Sequence, residues 1–173
     1  MKLRILYLSF LLLSFFAHGQ EKNIFDIARK GTLQEIQNAY KKNPDLINAV
    51  DEKKSSPLIL ASYRGNTDVA LFLADKVKDV NYNSGMGTAL MAAVMSGNNA
   101  IVEKLIQVKA NLNLADQGGK TALIYATFFN KNDLAKLLLQ ANADTKTKDI
   151  DGRTALDYAT FNKNTELIIL LQK

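Results

Sequence analysis

Residues 121–133 read TALIYATFFNKND, and 154–166 read TALDYATFNKNTE, with the two Thr starts 33 residues apart. Working back along the chain, TALMAAVMSGNNAIVEKLI begins at Thr88 and SPLILASYRGNTDVALFL at Ser56, giving spacings of 32, 33 and 33. A weaker, earlier copy, IFDIARKGTLQEI, begins at Ile24 and shares the Ala-x-x-Gly turn through Ala28 and Gly31. A regular period of this length means stacked units, each too small to bury its apolar face alone.

Each unit reads as two short antiparallel helices. Ser56, Thr88, Thr121 and Thr154 are good N-caps, and Pro57 stands at a first helical position, where its missing N–H costs nothing. Leu58, Leu90, Leu123 and Leu156 share a face with Ala61, Ala93, Ala126 and Ala159, whose small side chains let neighbouring helices approach. Gly65 and Gly97 can end the first helix at positive φ, and Asn130 tolerates the same conformation; Lys163 fits it less well. Second helices follow from the cap-capable residues Thr67, Asn99, Asn132 and Thr165, with apolar pairs Val69/Leu73, Ile101/Leu105, Leu134/Leu138 and Leu167/Leu171. Polar segments DEKKS, NSGMGT, DQGGKT and DIDGRT separate the units and predict protruding hairpin-like loops.

The run DIDGRTALDYA from Asp149, a similar run from Asp116, and the segments Val80-Asn81, Leu112-Asn113 and Ala143-Asp144 together resemble the ankyrin repeat family. The resemblance covers nearly all of 22–173. It implies an all-α solenoid of about five stacked helix-turn-helix units with protruding loops, degenerate at the ends, at approximately 22–50, 51–82, 83–115, 116–148 and 149–173. Two departures stand out. Ile59, Met91, Ile124 and Asp157 replace the family's His after the Leu, and three of four units carry Ala in place of Pro. Apolar packing is therefore expected to stand in for the inter-unit hydrogen bonds that the His normally joins.

The N-terminus follows a different pattern. Lys2 and Arg4 precede an apolar run from Ile5 to Ala17, and Ala17-His18-Gly19 offers small residues at the cleavage positions. This is the three-part form of a secretory signal peptide over 1–19, with cleavage before Gln20. The run is short of the ~20 residues that span a bilayer, so no stable membrane anchor is expected after cleavage. A bacterial-type export route to the periplasm or the medium follows from it. Cleavage removes two of the 22 basic residues and none of the 17 acidic ones, leaving a mild +3 that demands no nucleic acid.

The chain has no Cys, and its one His, His18, leaves with the signal peptide. The usual nucleophile–base pairs and transition-metal sites are then unavailable, and no catalytic residue, metal or cofactor is assigned. Asp149 and Asp151 lie close together, but they make neither a calcium site nor a catalytic pair. Further oxygen ligands are not in view, and Asp149 occupies a structural loop position of the resembled family. Gly118-Gly119-Lys120-Thr121 lacks the leading Gly and the preceding strand of a phosphate loop.

The expected function is protein binding on the concave face and loop tips. One position in successive units holds Arg29, Tyr63, Met95, Phe128 and Phe161; the next holds Lys30, Arg64, Ser96, Phe129 and Asn162. At 100° per residue, Phe128 points away from the buried arc of its helix, while Phe129 is placed to lean on a neighbour. An exposed row of Tyr, Met and Phe marks an interaction surface, and Arg29, Arg64, Lys53, Lys120 and Arg153 would add positive charge around it. A monomeric, exported, non-catalytic interaction module is thus expected. Its alternatives are an inhibitor or immunity protein against a secreted toxin or enzyme, a purely structural envelope component with Ile169 on its outer face, and a carboxylate-dependent envelope hydrolase. The hydrolase would need two carboxylates across one cleft, and the inner strip offers only Asp157.

Overall fold

Ser56, Thr88, Thr121 and Thr154 each accept a hydrogen bond from the backbone N–H three residues on, and each opens a helix. The computed structural model describes residues 22–172. The signal peptide expected at 1–19 lies outside the described residues. In chain order the helices are α1 (Ile24–Lys30), α2 (Leu33–Lys42), a 3-10 turn (Pro44–Asn48), α3 (Pro57–Arg64), α4 (Thr67–Ala74) and α5 (Ala89–Ser96). They continue as α6 (Asn99–Gln107), α7 (Ala122–Phe128), α8 (Asn132–Gln140), α9 (Ala155–Phe161) and α10 (Thr165–Leu171). The odd-numbered helices pack side by side as an inner layer, and the even-numbered ones as an outer layer. This is an all-helical solenoid of five helix pairs among the described residues.

The core lies between the layers. Ala61, Ala93, Ala126 and Ala159 are fully buried, and so are the outer-helix residues Val69, Leu73, Ile101, Leu105, Leu138 and Leu167. Leu58, Leu90 and Leu123 are buried beside them, whereas Leu156 is only half-buried, since among the described residues no inner helix packs on the far side of α9. Gly65, Gly97, Asn130 and Lys163 all turn the chain at positive φ, between 53° and 75°. The geometry is fixed by the stack, so even a lysine adopts it.

Three local expectations need correction. The second-helix caps are Asn66, Asn98, Lys131 and Asn164, one residue before Thr67, Asn99, Asn132 and Thr165, which are already helical. Gly31 does not turn at positive φ; it is extended, and a Cβ there would lie 2.7 Å from the Ile27 carbonyl oxygen. Close approach, not left-handed backbone, is what requires glycine at that point. Third, apolar packing does not act alone between units. The Asn48, Asn81 and Asn113 side chains accept from the backbone N–H of Lys78, Asn111 and Asp144, at 2.7–2.8 Å.

The loops stack as well. Gln117 N–H donates to Gly85 O and Ile150 N–H to Gly118 O, joining successive hairpins. A Cβ on Gly119, at φ 74°, would meet the Asp149 backbone at 2.8 Å, so the Gly-Gly pair permits this docking.

Candidate functional site

The C-terminal turns of α3, α5, α7 and α9 carry the aromatic row to the open side of the inner layer. Phe161 is 84% exposed, Tyr63 53%, Phe128 44% and Phe129 41%, so all four rings face solvent in part. Met95 is half-buried. Tyr63, Arg64, Met95, Ser96 and Phe129 line a groove of about 410 Å³ that spans the second, third and fourth units. Phe128 lies beside it, not in it.

The rings at the fourth and fifth units form one connected set. Phe128 meets Phe129 edge-on at 4.9 Å and meets Tyr158 of the next unit edge-on at 5.4 Å. Phe129 stacks on Tyr125 at 6.1 Å. Both tyrosines are anchored: the Tyr125 hydroxyl donates to Asp116 at 2.6 Å and the Tyr158 hydroxyl to Asp149 at 2.5 Å. The row is thus held in place from behind by two Tyr–Asp pairs. Phe161, by contrast, makes no ring contact among the described residues.

Asp149 is the most committed charge in the structure. Its side chain is buried and accepts from Tyr158, from the backbone N–H groups of Asp151 and Arg153, and from Lys120 Nζ at 3.4 Å. Burial works to raise its pKa, but these donors outweigh it and hold the carboxyl at about 2. Tyr125 moves the other way: burial first, and then the hydrogen bond to Asp116, push its hydroxyl above the usual tyrosine range. One oxygen of Asp149 thus serves its own loop and the other holds Tyr158 and Lys120, while Asp151 beside it faces solvent.

The cations divide into two groups. Arg29 is bound to Asp51 at 3.0 Å and Asp26 at 3.6 Å, so it is not the free charge expected from its position. Lys120 is drawn inward onto Asp149 and does not stand at a loop tip. Arg153 is exposed, with its guanidinium 5.9 Å from the Tyr158 ring centre and 4.0 Å from Asp151. Lys53 and Arg64 are exposed and carry no ion pair among the described residues.

Sequence reasoning missed the part that Asp116, Tyr125 and Tyr158 play behind the ring row. A signal for it existed: in both units the Asp stands nine residues before its Tyr. Among the described residues there is no cluster of His, Cys, Asp and Glu able to hold a metal, and no helix long and apolar enough to cross a membrane.

A family model for ankyrin repeats in three copies matches residues 24–116 and again 90–173. The rat protein named ankyrin repeat and SAM domain-containing protein 6 is 29% identical over 99 residues, 56% of this chain and 11% of the rat protein. Its mouse counterpart matches with the same identity and coverage. The chain therefore spans about a tenth of the length of these curated relatives. With the family model matched across almost the whole described region, the chain belongs to the ankyrin repeat family.

Proposed function

We propose that this chain is a non-catalytic, exported binding module, monomeric in the periplasm or the medium, that grips a partner protein on its concave inner-helix face. Ankyrin repeats generally mediate protein–protein interaction. The observation that carries the reading here is the groove lined by Tyr63, Arg64, Met95, Ser96 and Phe129 beside the buttressed ring pair. Partly exposed aromatic and Met side chains braced by neighbours offer contact area at low ordering cost. Export rests on the charge and apolar pattern of residues 1–19.

The test is a capture experiment from envelope and culture-medium fractions with three baits: wild type, Tyr63→Ala/Phe129→Ala, and the outer-face control Ile169→Ala. One protein recovered by wild type and control but lost from the groove variant supports the reading. Equal recovery by all three would sink it. Export is read separately, by locating the protein among cytoplasmic, envelope and culture-medium fractions and sequencing its N-terminus; protein confined to the cytoplasm with Met1 intact would refute it.

A further inference from the structure

Taking the inner-helix face as a binding surface, we infer that its groove accepts an acidic–apolar partner segment: one or two carboxylates running directly into aromatic or aliphatic side chains. The carboxylates sit over Arg64 and Lys30, and the apolar chains lie against Tyr63, Met95 and Phe129.

The assignment comes from which charges on this face are already neutralised. None of the five groove residues is acidic. Arg29, one residue before Lys30, is held by Asp26 and Asp51, and Lys120 is held by Asp149. Lys30 and Arg64 occupy the same position in the first and second units; both are exposed and neither forms an ion pair among the described residues. That position continues as Ser96, Phe129 and Asn162, so the row runs from charged to uncharged along the stack. A partner chain crossing the units therefore meets positive charge first and apolar surface next. The Arg64 guanidinium can take a carboxylate in two parallel hydrogen bonds, and rings beside it shield that pair from water.

A nucleic-acid strand fits this face less well. It would need a continuous cationic track following its phosphates. Along the row itself only Lys30 and Arg64 are cationic, the three positions that follow are Ser96, Phe129 and Asn162, and the neighbouring cations Arg29 and Lys120 are matched by internal carboxylates.

The test is selection of a random displayed peptide library on the purified protein, with the best sequences made as labelled peptides and measured by fluorescence anisotropy. The expected winners carry Asp or Glu next to Phe, Leu or Met. Arg64→Glu should weaken them by about tenfold or more, Arg64→Lys by less, and added salt should weaken wild type but not Arg64→Glu. Exposed Arg64 can be replaced without unfolding the chain, and matching thermal melts of the variants check this. Winners without acidic enrichment, or winners indifferent to Arg64→Glu but lost in Tyr63→Ala/Phe129→Ala, overturn the acidic–apolar assignment while leaving the groove as the binding surface. Binding indifferent to Tyr63→Ala/Phe129→Ala overturns both. A labelled oligothymidine bound more tightly than the selected peptides would also overturn it, in favour of a nucleic-acid ligand.

Discussion

Ser62 is fully buried on α3, and its hydroxyl has no hydrogen-bond partner among the described residues. The same position is Val94 in the next unit and Thr127 in the one after, whose hydroxyl donates to Ile124 O at 2.9 Å. A buried, unmatched hydroxyl costs about 1–3 kcal/mol, offset in part by the volume that an alanine gives up. Ser62→Ala should therefore raise unfolding free energy by about 1 kcal/mol, read from the midpoint of a urea titration. Lys163 gives a second case. It holds φ 54° at a helix end where Gly65 and Gly97 serve other units. Left-handed backbone costs a non-glycine residue roughly 1 kcal/mol, so Lys163→Gly should stabilise by about that amount in the same titration. The turn at this position was legible in the sequence because the unit length demanded it. Its occupant was legible only as a poor fit.

Helix ends show what a repeat frame reveals and what it conceals. First-helix caps were readable in four units because a hydroxyl residue stands directly before the apolar run: Ser56, Thr88, Thr121 and Thr154. Second-helix caps were misplaced by one because Asn66-Thr67 and Asn98-Asn99 each offer two candidates in succession. The structure distinguishes them by what the Asn side chains do. Asn66 makes no cap bond of its own; its amide donates to the carbonyls of Ile27, Ala28 and Gly31 in the preceding unit at 3.0–3.5 Å. Asn66→Ala should thus cost about 1–3 kcal/mol by removing the donor shared by the Ala28 and Gly31 carbonyls, although it removes no cap bond and Ile27 O keeps the Gly31 N–H. Calorimetric melts check this, and a variant as stable as wild type would contradict it. The rings of the binding face follow a similar logic. A helical wheel gave their direction, but the stacking of Phe129 on Tyr125 and the edge contact of Phe128 with Tyr158 depend on side-chain rotamers and on the next unit. The pairing of Arg29 with Asp51 was hidden for the same reason, since its partner lies 22 residues away across a unit boundary.

At the scale of the whole molecule, acid should act on the loops before the core. Asp149 has a folded pKa of about 2, below its ordinary value of 3.8. A depressed carboxyl stabilises fully above about pH 4, and that contribution is lost as pH falls towards about 2. Asp149→Asn should lower stability at neutral pH by about 2 kcal/mol, since a charged acceptor of several hydrogen bonds is replaced. It should also flatten the loss between about pH 4 and 2, measured by urea titrations at successive pH values. A stack in which each unit touches only its neighbours further predicts graded hydrogen exchange: slowest in α5 and α7, fastest in α1 and α10.

The Asn side chains that reach across units obey a rule of position. Asn48 serves Lys78, Asn81 serves Asn111 and Asn113 serves Asp144, each through a backbone N–H that any non-proline residue possesses. An in-register duplication of residues 83–115 would bring its own donor to the unit before it and its own acceptor to the unit after. The chain is therefore built to lengthen by tandem copying, without compensating change at the seams. A further rung would need an acceptor at Lys146, the next position in the series Asn48, Asn81, Asn113; Asp144 stands at a donor position, and its carboxylate accepts from Lys146 N–H just as Asn111 accepts from Asn113 N–H.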